Sequence, residues 1–487
     1  MKLRLPTARS PSWVLAETAT SAGFSFFSLI LIAKVIGPEA AGLGAVAIAA
    51  FLLLDLACAS LFTDALVQRA ALYERHVRSA LTVQVLVGVA AAAALALLAP
   101  VVARVSDAPE VSALVLALAA LLPFSAYSGA AAGMALRAQR YRLLATRALL
   151  GQPLGLAAGL FAAAEGYGAW AMIAQQAVST TVTFALMLAF GGQRVRPAIA
   201  RQPLADLWPV AGPQILSVIV MAGRYRLFVL ALSAVTTEAV VAVCNVAFRL
   251  LDSALNIVWG STARLSMPRL SALQANRAGL AKAYGDLAQL QALMGMPIAA
   301  GIALTAPDLI RALLGPAWME AAEATRLVGW VAVFSFSWGD PASLFLALGK
   351  TKRNLMLSAA ALAVPLLTLL VARPSTPFGV AVCWASSTVA LAPWLVWLVL
   401  KELGRPPLWL LGRIAPALAA TAAMAAAVVL LQETVARDLH PLARLLLSAG
   451  LGAAVFAAVA WLTLGRRPPQ GLAASAGPAP VGPVAAE

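Results

Sequence analysis

Charge is scarce in this chain. Asp, Glu, Lys and Arg make up 11% of its 487 residues, against about 25% in a soluble globular domain. That shortage excludes a water-facing globule of ordinary kind. Histidine is scarcer still: His76 and His440 are the only two, far apart in sequence, and no cluster of metal-ligand residues accompanies them. The three cysteines, Cys58, Cys244 and Cys383, fall inside apolar runs. They are expected to be small buried hydrophobes, without a disulfide or a metal site. A long polar loop is also missing. The segment at about 261–285 is the longest, and it is too short for a nucleotide-binding domain. No glycine-rich phosphate loop precedes a lysine, and no Ser-His-Asp set or carboxylate pair in a soluble loop is present. The chain is therefore not expected to be an enzyme, to hold a cofactor, or to use ATP directly.

What is abundant is apolar sequence: 62% of residues are hydrophobic and the mean hydropathy is +0.88. The ten-residue alternating segments of a transmembrane barrel are absent. A membrane helix needs about 20 residues, and runs of that size fall at 13–36, 42–63, 79–103, 111–135, 146–164, 168–190, 208–232, 238–260, 286–306, 322–346, 354–372, 378–400, 411–432 and 442–464. The expected fold class is thus an all-α polytopic membrane protein of about fourteen transmembrane helices. The N-terminal "MKLRLPTARSPSW" is basic, but the apolar run that follows is longer than a signal-peptide core and lacks a cleavage site, so it reads as the first span. With fourteen crossings, one set of loops and helix ends holds 25 of the 35 lysines and arginines and the other set holds six. This asymmetry predicts that both termini are cytoplasmic. It also accounts for the net charge of +15 through topology and anionic lipid headgroups, with no need of nucleic acid.

"FLLLD" at 51–55 returns as "FRLLD" at 248–252. The two copies lie in the second and eighth spans, each after a short loop with an acid, Glu39 or Glu238. The matching rank predicts two related six-helix halves around a central cavity, residues 1–200 and 201–405, then two extra helices at 406–465 and a disordered cytoplasmic tail at 466–487. An even number of helices per repeat makes the repeats parallel.

Ionisable residues inside the spans are functional candidates by default. Arg224 and Arg226 stand two residues apart in "MAGRYRLFVL", and each arginine at the bilayer centre costs about 2.5–3.5 kcal/mol on insertion scales. They are about 200° apart on an ideal helix and so cannot face one cavity squarely. At least one is expected to line a hydrated cavity, with snorkelling to the outer interface as the competing reading. Arg249 and Asp252 lie three residues apart on one helix face, which suits either an intrahelical pair or a cavity-lining arginine. Asp55 holds the equivalent place in the first half but has Leu52 where Arg249 would be, leaving a protonatable or a helix-linking role. Glu17 is expected near the cytoplasmic interface. Asp340 precedes Pro341 and reads as a kink or helix end.

Several stretches carry a resemblance: "LVQRAAL" (66–72), "GAWAMIAQQAVSTTV" (168–182), "MPRLSALQANRAGLAKAY" (267–284), "LLGPAWMEAAEATRLVGW" (313–330) and "ALGKTKRNL" (347–355). They resemble the polysaccharide-type flippases of the multidrug/oligosaccharidyl-lipid/polysaccharide exporter superfamily, over nearly the whole of 13–465. The resemblance implies an alternating-access flippase for an undecaprenyl-pyrophosphate-linked oligosaccharide repeat unit, serving exopolysaccharide, O-antigen (lipopolysaccharide) or capsule synthesis in the bacterial inner membrane. A polysaccharide polymerase and glycosyltransferases are the further partners it suggests. Relatives commonly place an aspartate just before the helix-7 arginine; Tyr225 stands there in this chain. Arg226 matches the relatives' arginine, so the substrate-binding candidates rank as Arg226, Arg224 and Arg249. Asp55, Asp252, Glu17 and Asp340 are the candidate coupling or cavity acids. The alternatives are a multidrug or small-solute cation-coupled antiporter of the same superfamily and a non-transporting scaffold.

Overall fold

The computed structural model describes residues 12–69, 72–192, 198–436 and 439–464, which are helical with short connections and contain no strand. The basic residues 1–11 and the expected disordered tail lie outside them. Eleven of the described segments are long and apolar enough to cross a membrane, against about fourteen helices expected. The difference arises partly because Phe27–Val67 counts as one span although its helix, α1 (Ser12–Ser60), breaks at Gly37, whose φ of 81° precedes Pro38. The protein is an all-helical, multi-pass membrane protein.

Contacts divide the chain into two compact units. The first comprises Met1–Arg249 with Leu313–Ala321 and Leu362–Trp384. Here α1 packs on α6 (Tyr141–Ala164) and α8 (Arg201–Ser233), α3 (Glu74–Val105) on α5 (Leu122–Arg137), and α6 on α7 (Trp170–Phe190). Small residues allow the close approaches, as is usual between membrane helices. A Cβ added at Gly129 of α5 would lie 2.0 Å from the Ala59 carbonyl oxygen of α1. Gln84 of α3 is fully buried and fully engaged nearby: its Nε2 donates to Ala59 O at 2.9 Å and Ala126 O at 3.0 Å, and its Oε1 accepts from Phe62 N. One amide thus closes three backbone groups where a helix ends inside an apolar layer.

The second unit comprises Leu250–Ala312, Ala322–Ala361 and Ala385–Glu487. Its core gathers Leu270, Tyr284, Leu287, Phe345, Val399 and Leu403 from the C-terminal part of α9 (Glu238–Ala272), α10 (Arg277–Leu313), α12 (Pro341–Ala347) and α14 (Pro377–Leu403). The run at 322–346 is not one helix: α11 (Glu320–Ser335) stops, and α12 begins at Asp340. α15 (Pro407–Glu433) and α16 (Pro441–Leu464) pack on each other.

Candidate functional site: arginines on an aromatic cluster

Arg224 and Arg226 sit on α8, and the aromatic rings around them explain how the first unit holds both. Trp384, near the N-terminal end of α14, lies at the centre of a cluster. Its ring stacks on Phe248 of α9 with centroids 5.4 Å apart, and meets Phe228 at 4.9 Å and Tyr225 at 5.9 Å in edge contacts. Phe228 and Phe248 are fully buried. The Arg224 guanidinium carbon stands 4.9 Å from the Trp384 ring centroid, and that of Arg226 stands 5.5 Å from the Tyr225 centroid. Both arginines are half-buried. A ring face carries negative quadrupole density, so each cation is offset by its own aromatic partner, an interaction of about 0.5–2 kcal/mol that grows with desolvation. The 200° between them on α8 ceases to be an obstacle, because they need not share a face. Tyr225 donates its hydroxyl to Asn245 Oδ1 of α9. It therefore links α8 to α9 and carries Arg226 on its ring.

The remaining candidates are not gathered at this cluster. Arg249 and Asp252 are half-buried, one turn apart on α9. Asp55 on α1 is hydrogen-bonded by the Ser125 side chain of α5, and its Oδ1 is buried without a hydrogen-bond partner among the described residues. Glu17 accepts from Arg147 Nη2 at 2.9 Å, joining α1 to α6. Asp340 caps α12: its Oδ1 accepts from Ser343 N at 3.1 Å, after Gly339 has turned the chain at φ 77°. That geometry is a helix start and accounts for an Asp-Pro pair in an otherwise apolar run.

Sequence reasoning missed the acids that carry the ion pairs of the second unit. Asp286 of α10 meets Arg413 of α15 at 2.9 Å and Arg269 of α9 at 3.9 Å. Asp308, 4% exposed, holds Arg444 of α16 through two hydrogen bonds. Glu402 is shared by Lys350 and Arg353. In the first unit, His76 accepts from Tyr73 N at Nδ1 and so offers its Nε2 hydrogen to Asp206 Oδ2, 3.2 Å away. That bond, with the charge of Arg69 beside it, holds the Asp206 carboxyl below the usual carboxylate range. Apart from Arg269 and Asp286, these partners lie from 49 to 137 residues apart, so spacing offered no signal, except that Arg413 and Asp286 each fall at the edge of an apolar run.

Comparison with known proteins fits this architecture. One curated relative, the succinoglycan biosynthesis transport protein ExoT of Rhizobium meliloti (strain 1021), is 27% identical over 175 residues, 36% of this chain and 35% of that protein. The match thus spans about a third of the relative's length. Among solved structures, the lipid II flippase MurJ in an inward closed conformation superposes with a TM-score of 0.72 at 12% identity, covering 93% of this chain and 99% of that one. An inward-facing multidrug resistance MATE transporter of the MOP superfamily gives 0.66 at 15% identity, covering 80% and 97%. The fold is therefore shared with these transporters. A family model described as "Polysaccharide biosynthesis protein" matches residues 31–323, more than half of the sequence, and the chain belongs to that family.

Proposed function

We propose that this protein is a flippase that moves an undecaprenyl-pyrophosphate-linked oligosaccharide repeat unit across the bacterial inner membrane. Two six-helix halves, residues 1–200 and 201–405, alternate access to a central cavity, both termini are cytoplasmic, and the protein transports rather than catalyses. The observation that carries the reading is the concentration of half-buried arginine, Arg224, Arg226 and Arg249, on two helices of a membrane-spanning member of a polysaccharide biosynthesis family. A pyrophosphate needs cationic partners to enter an apolar layer, and a guanidinium supplies a planar, permanently charged fork that matches phosphate oxygens. The roles of two similar proteins, succinoglycan transport and lipid II flipping, support a lipid-linked glycan as cargo. Asp55, with one buried oxygen left unbonded, is the acid best suited to couple transport to a proton or cation.

The test is complementation of polysaccharide export in a deletion strain, with membrane levels of each variant checked by immunoblot. Arg224→Gln/Arg226→Gln is expected to abolish export, while the corresponding lysine variants keep the charge and part of the function. Full export from a normally expressed double glutamine variant would sink the assignment. Exclusion of a cationic dye from cells that depends on this protein, without any effect on polysaccharide export, would support the antiporter alternative.

A further inference from the structure

The second unit carries a groove of about 970 Å³ along the outside of α14. Val389, Pro393, Val396, Trp397 and Leu400 form its floor, with Phe334 of α11 at one side. These positions recur every three or four residues, so they make one continuous helix face. Val389 and Trp397 are each 55% exposed. At one end the apolar floor gives way to Lys401 and Arg405, which line the mouth. The chain geometry puts them there together. α14 ends on Gly404 at φ 63°, and Arg405 N returns to the Leu400 carbonyl at 3.1 Å, the six-to-one bond of a Schellman motif. Lys401 lies over the Trp397 ring at 4.7 Å and Arg405 over Trp409 at 5.7 Å. Neither cation is in an ion pair among the described residues, because the adjacent acid, Glu402, is taken by Lys350 and Arg353.

We propose that this groove binds an anionic glycerophospholipid of the phosphatidylglycerol type, with an acyl chain along α14 and the phosphate between Lys401 and Arg405. Two features select that occupant. The mouth carries two cations without a matching acid, which favours a phosphodiester over a zwitterionic headgroup. From Val389 to Leu400 the helix rises about 16 Å at 1.5 Å per residue, close to half of the roughly 30 Å hydrocarbon core. A groove of that length, charged at one end, fits one leaflet of lipid rather than a soluble ligand. The site is independent of the arginine cluster and of the transport reading.

Trp397 makes the site observable. The full-length protein is reconstituted in phosphatidylcholine bilayers containing rising fractions of dibrominated phosphatidylglycerol or dibrominated phosphatidylcholine. Quenching at Trp397 is the difference between the wild type and Trp397→Phe. Brominated phosphatidylglycerol should quench at a relative fraction roughly thirtyfold lower, the effect of two basic side chains near a headgroup. The preference should vanish in Lys401→Gln/Arg405→Gln, persist in Lys352→Gln, and weaken at high ionic strength in the wild type. Equal quenching by the two lipids, or a salt-independent preference, would overturn the proposal. So would relief of quenching by an equal fraction of unbrominated undecaprenyl pyrophosphate, which would assign the groove to the transported lipid.

Discussion

Trp384 is the residue through which the arginine cluster can be measured. It makes three ring contacts, with Phe228, Phe248 and Tyr225, and one cation contact with Arg224. Each aromatic pair adds about 0.5–1.5 kcal/mol beyond burial, and the cation about 0.5–2 kcal/mol. Replacing a buried tryptophan by alanine in a packed site costs about 3–5 kcal/mol in all. Trp384 is half-buried, so Trp384→Ala is expected to destabilise by the lower end of that range, about 3 kcal/mol. Trp384→Phe keeps a ring for Phe228 and Phe248 but offers Arg224 a weaker face, and should cost only about 1–2 kcal/mol. Arg224→Gln alone is ambiguous, because it removes both the contact and the expense of holding a cation in the membrane. A double-mutant cycle with Trp384→Leu cancels that second effect and isolates the pair. Thermal unfolding of the full chain in detergent should give a coupling of about 0.5–2 kcal/mol. A coupling below about 0.3 kcal/mol, within the usual error of additivity, would show that the cation–ring contact contributes nothing. Phenylalanine as damaging as alanine would show that packing around the indole, not its face, is what matters.

Two further outcomes follow from the ion pairs. Asp308 is 4% exposed and Arg444 is 25% exposed, so Arg444→Ala leaves a carboxylate with no route to water and should cost about 3–5 kcal/mol, whereas after Asp308→Ala the long arginine can turn toward solvent at clearly smaller cost; equal losses of melting temperature would refute the asymmetry. Because the Asp206 carboxyl is held low by His76 and Arg69, its contribution is present above the ordinary carboxylate value of about 3.9 and is lost as pH falls through the lower, folded-state value. The difference in melting temperature between wild type and Asp206→Asn should thus be flat from pH 7 to 5 and shrink below about pH 4, and a difference that grew on acidification would reverse the assignment.

Much of the fold was legible because the bilayer makes simple demands. Length and hydropathy are local properties, and they located long apolar helices from end to end of the chain. Local chemistry marked Asp340 only in part: an acid before a proline inside an apolar run reads as a kink or helix end, whereas the structure makes it the cap that starts α12. What could not be read was pairing. Arg444 reaches Asp308 across 136 residues and Arg147 reaches Glu17 across 130, and nothing in either neighbourhood marks its partner. The run at 322–346 failed for a different reason. Its composition is apolar enough for one helix, but a glycine with positive φ divides it, and hydropathy averages over such a residue.

The arginines of α8 show the same division, and there it bears on function. Their presence in an apolar run was conspicuous, and a hydrated cavity was the expected reason for at least one of them. The rings of Trp384 and Tyr225 supply a second means of accommodation; Tyr225 stands between the two arginines, but Trp384 comes from a helix that sequence distance could not associate, 160 positions beyond Arg224. The two explanations do not compete. A guanidinium that lies flat on a ring keeps its five N–H donors in its own plane, pointing outward from the edge. Stacking therefore restricts the side chain without consuming its means of binding a phosphate. It also removes part of the rotamer freedom that an arginine otherwise loses on binding. A lysine placed at either position keeps the charge and some attraction to the ring, but has no edge for the ring to orient. Partial function with lysine at positions 224 and 226, and little with glutamine, is the pattern that an arginine held beside a ring and bound to a phosphate requires.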